Sequence, residues 1–163
     1  PSTSTGVLLD LRDIVGDVET AFTVNREAAY NNFVGFYRIA DTDGGIDTDG
    51  DGTADLAPGD AGYTDAALNA LAESIALTTP NLIQSEFEST VAGGSLYAPV
   101  LIANGNLDSF NPQNVYFAFT AANADGVEHI RFRDGAIEFE DLFGGGDNDF
   151  NDMVLQVAIT TTV

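Results

Sequence analysis

The sequence predicts a mainly β protein: an antiparallel β-sandwich, jelly-roll-like, with one or two short helices packed at an edge. Three observations carry that expectation. About seven or eight short stretches alternate apolar and polar residues between turn signals, within 163 residues. One of them, Phe33 to Ile39, is apolar on both faces, which places it between two packed layers. Only one segment repeats its apolar residues at clear helical spacing. The length suits a single domain with its own core. No internal repeat of about 20–50 residues points to a solenoid.

Residues 1–6 are small and polar and read as a linker or terminal arm, with one domain over 7–163. Val7 to Leu11 reads as a short strand. Ala21 to Arg26 sets Phe22 and Val24 against polar neighbours, a half-buried strand. After the strand at Phe33 to Ile39 comes an acidic loop insertion, 41–60, with seven aspartates, many glycines and no base. A helix follows it: Thr64 is a plausible N-cap, Asp65 complements the dipole, and Leu68, Leu71 and Ile75 form one stripe. It must stop before Thr79-Pro80. In Asn81 to Gly94, the residues Leu82, Ile83 and Phe87 read as a second short helix or an irregular packed segment.

The rest is β-rich. Ser95 to Ala103 reads as a strand bent or edged at Pro99. Val115 to Thr120 and Val127 to Arg133 alternate in period two. Asp134-Gly135 is a two-residue hairpin signal that returns the chain through Ala136 to Glu140. Met153 to Ile159 places Met153, Leu155, Val157 and Ile159 on one face, and a β-prone threonine run follows.

Charge narrows the function. The chain has 26 acidic residues against five basic ones, all arginine, for a formal charge of −21. Such a balance disfavours nucleic acid and anionic membrane surfaces, which reward basic patches. Cysteine is absent, so a disulfide framework or zinc-thiolate site is excluded. No apolar run reaches the ~20 residues of a bilayer span. No signal peptide is visible, and an opening on Pro1 reads as though an N-terminal part was removed or never included. A single histidine removes most Ser-His arrangements, so no enzyme is expected. Paired carboxylates of the glycosidase kind exist by residue type, yet the densest acids sit in loops that suit a metal.

The densest of those loops runs from Glu138 to Met153. Gly144, Gly145 and Gly146 imply a backbone path that other residues cannot follow. Glu140 and Asp141 precede them; Asp147, Asp149 and Asp152 follow. Carboxylates this close repel unless a cation sits between them. Oxygen ligands on a flexible loop, completed by Asn151 and glycine carbonyls to about six to eight oxygens, suit Ca²⁺. Phe139, Leu142, Phe143, Phe150 and Met153 interleave the acids and read as buried anchors.

A second candidate is Asp47-Thr48-Asp49-Gly50-Asp51-Gly52-Thr53-Ala54-Asp55. It matches the first half of an EF-hand loop, with Asp47, Asp49, Asp51, the Thr53 carbonyl and Asp55 at ligand positions. The twelfth position is Pro58 rather than Glu and no helix precedes it, so closure falls to Asp60. Two or more calcium ions are therefore expected. A third feature is a basic stripe, His129, Arg131 and Arg133, on one face of one strand. It reads either as internal neutralisation of Glu128 or Glu138, or as a docking face for a ligand or subunit carboxylate.

The run Phe139-Glu140-Asp141-Leu142, Gly144-Gly145-Gly146-Asp147 and Asp149-Phe150-Asn151-Asp152 resembles the signature of an uncharacterised extracellular domain family. That family occurs in very large RTX-type bacterial adhesins and in cyanobacterial exoproteins. Asn31 to Tyr37, Ala98 to Asn104 and Ala122 to Gly126 also resemble it. The resemblance implies a Ca²⁺-dependent β-rich module used in adhesion or surface structure. Two functions follow as expectations. One is a secreted or cell-surface module binding a peptide or glycan through Ca²⁺-organised loops, with Tyr63, Tyr97 or Tyr116 as exposed contacts. The other is a Ca²⁺-dependent subunit of a filament, sheath or surface layer, with other copies of itself as partners and its polar ends added to a neighbour's sheet.

Overall fold

The computed structural model describes residues 2–3 and 6–161. In chain order the strands are β1 (Ser2–Thr3), β2 (Leu9–Asp10), β3 (Asp17–Asn25), β4 (Phe33–Ile39) and, after helix α1 (Tyr63–Asn69), β5 (Gln84–Ala92). Then come β6 (Leu96–Ile102), β7 (Val115–Phe117), β8 (Ile130–Arg133), β9 (Ala136–Phe139) and β10 (Met153–Thr161). They form two antiparallel sheets. The first runs β5-β3-β10-β9-β8, with β1 on the far end of β10; the second runs β2-β6-β4, with β7 beside β2 on the same edge of β6. The chain changes sheet at every step from β1 to β6, and β8-β9-β10 close it as a meander.

The layers follow from side-chain alternation. Phe22, Val24, Leu155, Val157, Ile137 and Phe139 of the first sheet pack on Val34, Phe36, Tyr97, Leu101 and Tyr116 of the second. Phe22 and Phe36 meet across the interface with ring centroids 5.9 Å apart. The second sheet is also covered on its other face, where Tyr37, Ile39, Val100 and Phe117 pack on Tyr63, Ala67 and Ile46. Strand β6 is therefore buried along its whole length, and β4 is buried everywhere except Arg38. β4 lies between two layers as expected, yet it ends its sheet's strand order. Its outer edge is bonded instead by Leu77 to Val34 and by Ala70 and Ala72 to Arg38 and Phe36.

Those outward bonds explain Pro99 in a central strand. Val34, Phe36 and Arg38 turn their backbone groups away from β6, so Pro99, opposite Phe36, turns its missing N–H away from β4 as well. It lands between the short strands β2 and β7, where no ladder bond is lost. The predicted hairpin is present: Asp134 and Gly135 both have positive φ, 53° and 79°, the twist a two-residue β-turn needs.

Three expectations are corrected. The helix starts from Gly62, in left-handed conformation and without a side-chain cap, so Thr64 is inside it. It ends at Asn69: Leu71 bridges the edge of β4 and Ile75 joins the core instead of continuing the stripe. Residues 81–94 hold no helix; β5 occupies them and pairs with β3 along its full length. Tyr63, Tyr97 and Tyr116 are buried, not exposed contacts. The terminal arm expected at 1–6 and the polar C-terminal end fall partly outside the described residues. Within them, Ser2 and Thr3 pair with Ile159 and Ala158 of their own chain.

The acidic insertion is tied to the core. Ile46 is buried and bridges Leu56, and the Tyr37 hydroxyl donates to Tyr63, which donates to the Gly44 carbonyl at 2.6 Å. Burial raises both phenols, Tyr63 to about 12, so the relay stays protonated. Tyr63→Phe leaves the Gly44 carbonyl without its donor while the core stays filled. It should cost about 1–3 kcal/mol in urea denaturation and expose the 41–60 loop to limited proteolysis.

Candidate metal centre

The C-terminal acids sit in the connection between β9 and β10. Phe139 pairs with Met153, so the hairpin register sets Glu140 and Asp141 beside Asp152 at the loop base. The Asp141 amide donates to Asp152 Oδ2 at 2.8 Å. Asn32, just ahead of β4, donates to Asp141 Oδ2 at 2.7 Å, and its own carbonyl oxygen accepts from the Asn104 amide. Beyond the base the loop turns through Gly144, Gly145 and Gly146, all with positive φ, which brings Asp147 and Asp149 back over Glu140. Phe150 also has positive φ, 55°, and is held there by burial beneath the Arg131 guanidinium, 4.1 Å above its ring. Of the five expected anchors, Phe139, Phe150 and Met153 are buried. Leu142 and Phe143 are 40% and 55% exposed.

The predicted ligands come together in two groups that share Glu140. Glu140, Asp147 and Asp149 bring ligand atoms within 4.8 Å of one another, and so do Glu140, Asp141 and Asp152. Glu140 is fully buried, and its Oε2 has no hydrogen-bond partner. Its Oε1 receives only a long 3.4 Å contact from the Leu142 amide. A carboxylate so desolvated is costly to ionise unless a cation meets it. Burial, and then Asp152 beside it, push the Glu140 carboxyl up to about 8. Burial also lifts Asp141 to about 6, Asn32 pulling it down and Asp152 pushing it up. The cluster can hold a metal ion, and the orphaned Glu140 oxygen is the group that fits one. Asn151 takes a different position: its side-chain amide donates to Glu27 and its carbonyl accepts from the Glu27 amide, which clips the loop to residues 27–30.

Sequence reasoning missed the frame beneath this loop. His129 is buried, so it does not share an exposed face with Arg131 and Arg133. Its Nδ1 donates to the Glu140 carbonyl at 2.6 Å, and its Nε2 meets Asp125 Oδ2 at the same distance. Tyr116 stacks on the imidazole at 3.6 Å. Asp125 also accepts from the Gly144 amide, so one carboxylate ties the histidine to the glycine crown. Burial raises the Asp125 carboxyl, but the Gly144 amide and His129 together hold it below its ordinary value. Asp125 is one acid among 26, and its role appears only once residues 125, 129 and 144 are adjacent. Arg131 donates to Glu138 at 2.8 Å, and Arg133 lies 3.7 Å from both Glu138 and Asp134. The stripe thus faces the chain's own carboxylates.

In the second loop Asp47, Asp49, Asp51 and Asp55 do converge within 4.8 Å. Gly52 has the positive φ that this loop type needs at its sixth position. Asp47 accepts from the Gly50 and Gly52 amides at 2.7 Å, and Asp55 accepts from Thr48. Thr53 is present through its amide, bonded to Asp51. Asp60 is not in the group; it accepts from the Ala57 amide and caps its own turn. These carboxylates are more open than the hairpin-loop base, and the loop amides already occupy several of their oxygens.

The match to known proteins is confined to one part of the chain. Residues 91–160 match a family model described as a domain of unknown function (DUF4114). The matched stretch takes in β6 to β9, most of β10, the His129 frame and the hairpin loop. It leaves out the 41–60 loop. No curated protein and no solved structure matches the chain.

The raised carboxyls set a pH dependence. In chelator the folded state holds protons on Glu140 and Asp141 that the unfolded chain, with ordinary carboxyls near 4, has lost. Stability should therefore fall as pH rises from about 5 to 9. Thermal melts across that range check this: Glu140→Gln should flatten the slope, and excess Ca²⁺ should abolish it.

Proposed function

We propose that the chain is a non-catalytic, calcium-dependent extracellular module for adhesion that binds a peptide or glycan beside its metal loop. The observation that carries the reading is the buried Glu140 carboxylate, its Oε2 unpartnered, among four other acids. Its four acidic neighbours, Asp141, Asp147, Asp149 and Asp152, line a cavity of about 290 Å³ together with Glu27 and Tyr30. The ligand set is all oxygen, since His129 spends both ring nitrogens on Asp125 and the Glu140 carbonyl. A flexible, glycine-rich loop with oxygen donors alone suits Ca²⁺ better than Mg²⁺, which demands a tight octahedron. Sites of this open, acidic kind fill at extracellular calcium, with dissociation constants of about 10⁻⁴–10⁻³ M. No described helix is long and apolar enough to cross a membrane. Exposed Leu142 and Phe143 beside the acids offer a partner apolar contact.

A second reading, a calcium-dependent subunit of a filament, sheath or surface layer, draws on β5. This nine-residue strand ends the first sheet, and its far edge is the kind to which a second copy adds.

One pair of measurements tests both. Labelled protein on glycan and peptide arrays should bind with Ca²⁺, lose binding in chelator and lose it in Glu140→Gln. Light scattering during the same titration should stay at the mass of one chain. An ever-rising mass with empty arrays would favour the subunit. Chelation should also lower the melting temperature: at calcium about 100 times the dissociation constant, each filled site contributes about 2.7 kcal/mol. An unchanged melt would overturn the metal reading.

A further inference from the structure

We infer that the β9–β10 loop holds two cations, not one, bridged by the carboxylate of Glu140. This deepens the calcium reading and rests on it. Glu140 alone belongs to both carboxylate groups. The inner group adds Asp141 and Asp152, both at the buried base of the hairpin; the outer group adds Asp147 and Asp149, both exposed. The two groups thus stack from core to solvent, with Glu140 as their common member.

Oxygen supply and charge both favour two ions. Glu140 Oε2 is buried without a partner, and Oε1 has only the long Leu142 contact, so each oxygen is available to a different ion. Five ionised carboxylates around one divalent ion would leave three negative charges unmatched in a partly buried site, whereas two ions leave one. The base is already organised for an inner ion: Asn32 fixes Asp141, and the Asp141 amide fixes Asp152. The outer position is different. Its aspartates are exposed and engage only amides of their own loop, at 3.3 Å, whereas Asp141 and Asp152 reach the shared cavity beside Glu27 and Tyr30 from the buried base.

An order of filling follows. The inner ion discharges Glu140 and closes the hairpin base, and that fixes the bridging oxygen for the outer ion. The outer ion keeps a solvent-facing side where water, or a hydroxyl or carboxylate of the partner, completes its shell. The inner position is thus structural, and the outer one is where recognition takes place.

Native mass spectrometry counts the ions directly. The full chain carrying Asp47→Asn, Asp49→Asn and Asp51→Asn, which silences the other loop, should retain two Ca²⁺. Adding Asp147→Asn and Asp149→Asn should leave one ion and most of the calcium-induced rise in melting temperature. Adding Glu140→Gln instead should leave none and remove that rise. A count of one in the silenced chain overturns the bridged pair but keeps a calcium loop. A count of zero overturns the calcium reading of this loop itself.

Discussion

A buried carboxylate with one oxygen left without a partner, at the base of the β9–β10 hairpin, is the constraint on which the rest of this structure turns. Glu140 cannot escape to solvent, because Phe139 and Met153 on either side of the loop base are core residues in register with one another. Among the described residues no arginine is hydrogen-bonded to it: Arg131 bonds Glu138 and covers the Phe150 ring. Asp141 and Asp152 share the same base and raise the electrostatic cost further. A protein with five arginines and 26 acids places its most buried acids here, where either protonation or a bound cation relieves the charge.

The fold supplies a rigid mount for that constraint. His129 and Tyr116 are stacked inside the sandwich, and the histidine bonds the Glu140 carbonyl on one side and Asp125 on the other. Asn32 reaches the loop from the start of β4. The end of β4 runs into the second acidic loop, which Tyr37 and Tyr63 pin to the helix layer. The two acidic loops are therefore tied to opposite ends of one buried strand, which spans roughly 20 Å at about 3.3 Å per residue. Because the sheet containing β4 is covered on both faces, order at either end has a stiff path to the core.

Where sequence reading failed, the cause is physical in each case. The inward positions of β5 are Ser85, Phe87, Ser89 and Val91, so its alternation carries little apolar contrast and looked irregular. The stripe Leu68, Leu71 and Ile75 has helical spacing. After α1 ends, however, Leu71 bridges the edge of β4 and Ile75 joins the core between the sheets. Leu142 and Phe143 are apolar and adjacent to core residues, yet the glycine turn swings them outward. His129 shares the parity of Arg131 and Arg133, but β8 begins only at Ile130, so period two does not extend to it.

The sequence by itself determined the β-sandwich class, the both-faced burial of β4, the Asp134-Gly135 turn and the identity of the acids at 140–152. Each depends on local periodicity, on backbone conformations few residues allow, or on charge density along the chain. Tertiary structure alone decided that Glu140 is buried, that it belongs to two carboxylate groups, and that Asn32, Asp125, His129 and Tyr116 support it. Those facts arise from contacts between residues as far apart as 32 and 141, and burial and desolvation are properties of surroundings rather than of residue type.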